Sequence, residues 1–423
     1  MYKIVGDIKN SFITYLEELN PINTSLKKPL SKAIIFSSKE ILQENNRVKI
    51  LENYNISNFI GIANPTDQAC QYLWKLLQPS NPPLYTELKS LELYGVQKIG
   101  GNIEQFSFLQ PSYPDNFTLE DKNISNKSRA ENFIKMISEI IDKTIIKPNL
   151  LENDGGDPVN LFNQAQLYTD RVQYCLPVKN SNNQPVNCYY QIISKGQAVW
   201  VKDASNNEYD YYFIIQYSVF SPNPGYVAND SNNQGWYVNW YNLNVYPTNF
   251  LGNNAILMAQ NSPGTTQGST TASTSISETT GISIGFFGET GTANFDHSVT
   301  IGKSESFSIP DVSISNNSNS KGNNAQWDFN MPYVSDALSQ PVLMARNTFQ
   351  PITMMLWQAD PTTVRTNSDH SKDVFSISFD FNLQYVYTYI NDDGRKDSTY
   401  RPTTQTRSFK LPCPPKAAPP PSI

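Results

Sequence analysis

Residues 262–310 constrain what this chain can fold into more than any other stretch. They are small, polar and β-prone, yet their apolar residues alternate. Up to Phe286 these sit at even positions: Ala272, Ile276, Ile282, Ile284 and Phe286. Beyond the Gly-rich break Phe287-Gly288-Glu289-Thr290-Gly291 they sit at odd positions: Ala293, Phe295, Val299, Ile301, Phe307 and Ile309. The opposite parity carries Ser, Thr, Gly, Asn and Asp. Period-two patterning on both sides of a Gly turn predicts a hairpin with one mildly apolar face and one wet face. A water-soluble sheet gains little from a long hairpin with so little to bury. A membrane barrel assembled from one hairpin per subunit requires this alternation, because lipid-facing and lumen-facing positions alternate along each strand.

Each arm exceeds the roughly 9–11 residues that a bilayer-crossing strand needs. Glu278 and His297 share the parity of the apolar residues. A charge on lipid is costly away from the interface, so either the register shifts there or those positions lie outside the hydrocarbon. A Ser/Thr-rich surface loop is the competing reading.

The chain of 423 residues has room for two or three domains. Its aromatic content of 12 %, with 24 Tyr and 21 Phe, suits a β-rich protein, and Asn, Ser and Thr take the place of charge on the surface. Residues 203–302 contain neither Lys nor Arg, and the formal net charge is −6. Nucleic acid is therefore not an expected partner, since phosphate neutralisation needs clustered cations. Electrostatic attachment to anionic lipid is not expected for the same reason. No run of 18 apolar residues predicts a membrane-spanning helix. The first residues, Met1-Tyr2-Lys3-Ile4-Val5, show no apolar core of a standard signal peptide.

Residues 1–150 differ in texture. Helical patterns occur at about 9–19, 66–78 and 128–145, the last with Phe133, Ile134, Ile137, Ile140, Ile141 and Ile145 at helical spacing. Short apolar runs at 33–36 and 59–63 read as strands. A small α/β or α+β N-terminal domain is expected here, accessory or a pro-domain. Residues 151–164 are a linker, and Asp154-Gly155-Gly156-Asp157-Pro158 is turn chemistry. Residues 165–410 read almost wholly as β, with strands at 189–201 and 210–220. At 374–390, Phe375, Ile377, Phe379, Phe381, Leu383, Tyr385, Tyr387 and Tyr389 alternate with mostly polar neighbours, the mark of a long half-buried strand. The fold class is mainly β, a sandwich, with a Pro-rich tail at 411–423. Cys175 and Cys188 bracket a strand–turn–strand pattern and are a disulfide candidate, worth about 3 kcal/mol if formed.

A sandwich strand here enters a Ser/Thr/Gly-rich alternating hairpin. The chain leaves it through Ser298-Val299-Thr300-Ile301-Gly302-Lys303-Ser304, then Ile309-Pro310-Asp311, and reaches Gln326-Trp327-Asp328-Phe329-Asn330. This resembles the leukocidin/haemolysin family of β-barrel pore-forming toxins over roughly residues 165–410. The resemblance implies a secreted, soluble monomer with a β-sandwich, a rim and a folded pre-stem at about 265–309. It implies binding to a target cell membrane, self-association into a ring and insertion of one hairpin per subunit. Ser273, Ser275, Ser277, Ser283, Asn294, Ser298 and Thr300 would then line the lumen. Ile276, Ile282, Ile284, Phe286, Phe295, Val299 and Ile301 would face lipid. The extra 150 residues depart from the family's core members. Relatives with a cleaved pro-region make 148–158 a candidate cut site. An aerolysin-like pore former shares the amphipathic hairpin and is the nearest alternative.

Trp236, Tyr237, Trp240, Tyr241 and Trp357 are candidate membrane contacts, since Trp and Tyr join an apolar body to a polar tip. Arg346 and Arg365 could meet a lipid phosphate or a glycan-bearing receptor. These aromatics could equally pack the sandwich, and Trp327 is assigned to the core. Enzymatic readings are poorly supplied. The chain has two His, lacks HExxH and GxSxG, and its glycines are not followed by the Lys-Ser/Thr of a phosphate loop. No cofactor and no metal is expected. A carbohydrate-binding or adhesive sandwich remains the alternative from another class.

Overall fold

The computed structural model describes residues 2–8, 11–18, 33–56, 58–78, 91–99, 102–145, 166–180, 182–202, 208–222, 226–227, 234–248, 256–266, 271–280, 299–308, 312–319, 323–331, 349–364, 373–390 and 396–414. The amino-terminal third holds β1 (Tyr2–Val5), α1 (Ser11–Glu18), β2 (Ala33–Ser37), α2 (Ser38–Ile41), α3 (Arg47–Asn55), β3 (Phe59–Ala63), α4 (Asp67–Leu77), β4 (Leu91–Ile99), β5 (Asn102–Leu109) and α5 (Leu119–Ile145). Strands β1 to β3 are parallel, and β4 and β5 add antiparallel. Five consecutive buried residues in Phe59–Ala63 fit a strand covered on both faces. One cover is α1 and α5, whose Phe12, Leu16 and Phe133 pack with Phe59 and Phe106. On the other side α3 and α4 contribute Ile50, Leu73 and Trp74.

The remaining strands are β6 (Tyr168–Lys179), β7 (Pro185–Lys202), β8 (Glu208–Ser221), β9 (Tyr226–Val227), β10 (Gln234–Pro247), β11 (Ile256–Ser262), β12 (Thr271–Thr280), β13 (Val299–Ser308), β14 (Ser313–Asn316), β15 (Ala325–Asn330), β16 (Ile352–Ala359), β17 (Val374–Ile390) and β18 (Lys396–Pro412). They form two facing sheets. One runs β6-β7-β8-β16-β11, the other β14-β15-β10-β17-β18 with β9 on β10. Alternating inward side chains make the core between them, and rings meet across it. Tyr212 stacks on Phe375 at 4.0 Å, Phe220 lies 4.4 Å from Tyr241, and Tyr174 meets Phe381 edge-on at 5.3 Å. The protein is mainly β, a sandwich with a small α/β portion at its amino end, as the alternation at 374–390 predicts.

The first sheet does not stop at β6. Strand β5 pairs in parallel with β6 over six residue pairs, from Ile103↔Tyr168 to Phe108↔Gln173, so one ten-stranded sheet runs from β1 to β11. Arg171 ties the seam through Glu104 at 3.7 Å and lies over the Phe106 ring. Helix α5 crosses the seam. Ser125 Oγ donates to Asn187 Oδ1 at 2.7 Å, Asn187 Nδ2 donates back to the Ser125 carbonyl, and Asp121 pairs with Lys179 at 3.1 Å.

The bridge expected between Cys175 and Cys188 does not form, and both thiols are free. The turn Asn180–Gln184, with Asn183 at φ 58°, sets the register Lys179↔Pro185, which places Cys175 opposite Tyr189 and Cys188 opposite Leu176. The two cysteines are one residue out of register, and a one-residue offset turns side chains to opposite faces. Burial pushes the Cys175 thiol up to about 12 and the Cys188 thiol well above its ordinary value, so neither is a reactive thiolate.

Asp170 of β6 points into the sandwich core. Burial pushes its carboxyl up to about 6, against the pull of Arg407 on β18; Tyr174 is its other titratable neighbour. A raised carboxyl favours the folded state fully below the unfolded value near 3.9, and that contribution is lost as pH rises through about 6. Asp170→Asn should therefore flatten the slope of Tm against pH between roughly 4 and 6. The span involved is about 3 kcal/mol at 1.36 kcal/mol per unit. An unchanged slope in thermal melts would assign the pH dependence elsewhere.

Candidate functional site

Strands β12 and β13 form a separate two-stranded antiparallel sheet inside the stretch singled out from sequence. Its register pairs Ser273 with Ser306, Ser275 with Ser304, Ser277 with Gly302 and Thr279 with Thr300. Residues opposite each other share a face, so one face carries hydroxyls and a glycine alone. The other pairs Ala272 with Phe307, Thr274 with Glu305, Ile276 with Lys303, Glu278 with Ile301 and Thr280 with Val299. Among the described pairs, Ser273, Ser275, Ser277 and Thr300 thus fall on one face, and Ile276, Val299 and Ile301 on the other. Three charges lie on the second face: Glu305 at the fourth of the ten pairs counted from the root, Lys303 at the sixth and Glu278 at the eighth. Ile282, Ser283, Ile284, Phe286, Asn294, Phe295, His297 and Ser298 lie outside the described residues.

The hairpin lies against β16, and β12 also meets β11. On the outer face of that sheet Val199, Tyr211, Phe213, Ile215, Met354 and Leu356 form an apolar cluster, in which Met354 and Leu356 are fully buried. Strand β16 is apolar on both faces, because Met355 and Trp357 fill the core between the sheets while Met354 and Leu356 point outward. A sheet exposed on one side would carry polar residues there. The outer face is therefore built to be covered.

The hairpin root is clamped. The Pro263 carbonyl accepts from Trp327 Nε1 at 2.8 Å and from Asn316 Nδ2 at 2.7 Å. Asn316 Nδ2 also reaches Asn261 Oδ1 at 2.6 Å, and its backbone N–H donates to Thr265 Oγ1 at 3.0 Å. Thr266 and Ile314 close a backbone bridge beside them. Asn316 thus joins the strand entering the hairpin to the strand leaving it. Sequence reasoning found Trp327 and missed Asn316, which no motif distinguishes from its many Asn neighbours. Removing its side chain deletes bonds worth about 0.5–1.5 kcal/mol each. Asn316→Ala should therefore speed proteolysis between 281 and 298 roughly three- to tenfold at an unchanged Tm. Equal digestion rates would show that the clamp does not hold the hairpin.

The aromatic membrane-contact candidates separate. Trp236, Tyr237, Tyr241 and Trp357 are buried and pack the core, which corrects their placement at a membrane surface. Trp236 Nε1 donates to the Lys179 carbonyl at 2.8 Å and Trp357 Nε1 to the Asn323 carbonyl at 3.2 Å, so their polar tips are satisfied inside. Trp240 is half-buried on the outer face of the second sheet. Arg346 and Arg365 lie outside the described residues. Among the described residues no cluster of His, Cys, Asp and Glu could hold a metal ion, and no helix is long and apolar enough to cross a membrane.

No protein-family model matches the sequence, and no curated protein matches it. Solved structures resemble it at 12 % identity. Clostridium perfringens delta-toxin aligns with a TM-score of 0.38 over 59 % of this chain and 89 % of its own. A structure described as a pore forming protein gives 0.36 over 56 % and 94 %. The Clostridium perfringens NetB toxin in the membrane inserted form gives 0.28 over 57 % and 95 %. At so low an overall superposition, the hairpin and its docking face carry the functional argument, not the likeness.

Proposed function

We propose that the chain is a pore-forming cytolysin. In this reading a soluble monomer binds a target membrane, associates into a ring and inserts one hairpin per subunit into a shared barrel. The supporting observation is the register of β12 and β13, which sorts hydroxyls to one face of a hairpin docked on an apolar patch. An isolated two-stranded hairpin is marginal in water, so the docking holds it until a membrane and neighbouring hairpins offer something better. In the inserted barrel the same register, continued beyond Thr280, would bring Ile284 to Phe295 and Phe286 to Ala293 on the apolar face. It would bring Gly281 to Ser298 and Gly285 to Asn294 on the wet face. About ten residues per arm, roughly 277–286 and 293–302, then cross. Lys303 and Glu305 stay outside the hydrocarbon in this span, Glu278 sits one position inside its edge, where a charge costs least, and His297 falls within it on the apolar face; closure removes the strand edges that lipid cannot satisfy. The protein is secreted in this reading, residues 1–150 act as an accessory domain, and 148–158 is the region open to cleavage.

The test is dye release from liposomes and from animal and insect cells, with intact protein and with protein nicked at 148–158, alongside SDS-resistant oligomers. Release with a ring supports the reading. Binding without release and without a ring on every membrane overturns it in favour of an adhesive sandwich.

A further inference from the structure

Among the described residues no hairpin and no helix covers the outer face of the sheet β14-β15-β10-β17-β18, and its side chains form an ordered polar row. In register across four strands stand Asp328, Asn242, Asn382 and Thr404. Thr404 Oγ1 donates to Asn382 Oδ1 at 2.7 Å, Asn382 Nδ2 to Asn242 Oδ1 at 3.2 Å, and Asn242 Nδ2 to Asp328 Oδ1 at 2.7 Å. Asn317 Nδ2 closes the chain on Asp328 Oδ2 at 2.7 Å. All donors run toward the carboxylate, so each amide is fixed in one orientation and the bonds polarise one another. The next row, Asn244, Asp380 and Thr406, carries two separate bonds, Asn324 Nδ2 on Asn244 Oδ1 at 3.1 Å and Thr406 Oγ1 on Asp380 Oδ1 at 2.7 Å. On the other side of the first row the half-buried Trp240 stands in register with Gln384.

We infer that this face binds neutral oligosaccharide. Thr404 and Thr406 are exposed, Asp328, Asn382, Asn244, Asn324 and Asp380 are half-exposed and Asn242 is buried beneath them, so the Thr404 hydroxyl and the Asn382 amide are presented in a fixed array. Strand spacing sets that array at about 4.7–4.9 Å between columns. Sugar hydroxyls both donate and accept, and such preset groups meet them without a further ordering cost. Trp240 supplies a flat apolar surface for the C–H face of a ring. The charged side chains of the two rows are Asp328 and Asp380, which disfavours sialylated glycans and lipid phosphates. A second copy of this chain is a poorer occupant, because protein interfaces centre on a buried apolar anchor and the centre of this face is amide and carboxylate.

The experiment is binding of the full chain to immobilised neoglycoproteins bearing lactose, N-acetyllactosamine or maltose, beside sialylated counterparts and phosphatidylcholine vesicles. Saturable binding to a neutral probe, stronger than to its sialylated form, is expected. Trp240→Ala and Asn382→Ala should weaken it at least tenfold, and Thr404→Val, at an exposed position, at least threefold with an unchanged Tm. Val299→Lys, aimed at the hairpin, should bind as wild type, so failure of this inference and failure of the pore reading are separable. Absence of saturable binding to any neutral probe, or Thr404→Val and Trp240→Ala binding as wild type, overturns the proposal. So does equal binding to the sugar-free vesicles.

Discussion

Val299→Lys should abolish dye release from liposomes, while Thr300→Lys, one residue along, should leave release within a few-fold of wild type and shift the pore toward anions. Val299 pairs with Thr280 on the face that carries Ile276 and Ile301, and Thr300 pairs with Thr279 on the hydroxyl face. A lysine held against lipid costs about 2–4 kcal/mol at the bilayer midplane and less near the interfaces. Each subunit of a ring repeats that cost, so a loss of release by at least a hundredfold is expected. A lysine in a water-filled lumen keeps its hydration and contributes charge to ion selectivity. Both variants should keep the wild-type Tm within a few degrees and bind membranes equally, because the substitution acts after attachment. Equal release by the two variants, or loss in Thr300→Lys with retention in Val299→Lys, would remove the alternation from the mechanism.

Cleavage at 148–158 should leave two fragments that co-elute as one species. Six ladder pairs join β5 to β6, and each backbone hydrogen bond contributes about 0.5–1.5 kcal/mol. The seam further contains the Arg171–Glu104 pair, the reciprocal Ser125–Asn187 bonds and the buried Arg129–Glu92 pair behind them. Covalent continuity between α5 and β6 adds little to so many contacts. Nicked protein should therefore run at the intact mass on gel filtration and separate when guanidinium unfolds it. Removal of residues 1–150 before folding should instead give insoluble protein, because β6 then offers an unpaired edge. A free amino-terminal fragment in native buffer after nicking would refute this and restore a releasable pro-domain.

Much of the β architecture was legible because period two leaves little choice. Phe375 through Tyr385 predicted a strand at 374–390, and β17 spans Val374–Ile390. Helix α5 was legible in its apolar half alone. Its true start is a reciprocal cap in which Thr118 Oγ1 accepts from the Asp121 N–H and Asp121 Oδ2 accepts from the Thr118 N–H. The backbone bond from Thr118 is the leading cause of the lowered Asp121 carboxyl pKa. That Thr-x-x-Asp spacing was present to be read. The aromatics were ambiguous for a physical reason. A Trp whose N–H finds a carbonyl in the core has the same sequence signature as one at a membrane interface, and the deciding partners, Lys179 and Asn323, lie 57 and 34 residues away. The docking face was readable in Ile352–Ala359, where apolar residues run without alternation. Asn316 and the Asn242 row were not, since their meaning lies in cross-strand register.

Synthesis of the chain gives the β5–β6 seam a temporal meaning. Chains emerge amino end first at about 5–20 residues per second. Strand β5 is therefore complete several seconds before the last residue of β6, some seventy positions on, leaves the ribosome. Through that interval the amino-terminal sheet holds one unfilled edge, and α5 is made while it waits. If the amino-terminal sheet folds as it emerges, the first sandwich strand arrives at an edge already in register. Later strands follow by hairpin addition, β7 on β6 and β8 on β7. On that order of events the amino-terminal third is expected to nucleate the first sandwich sheet, which protease resistance of residues 1–150 on stalled chains would test.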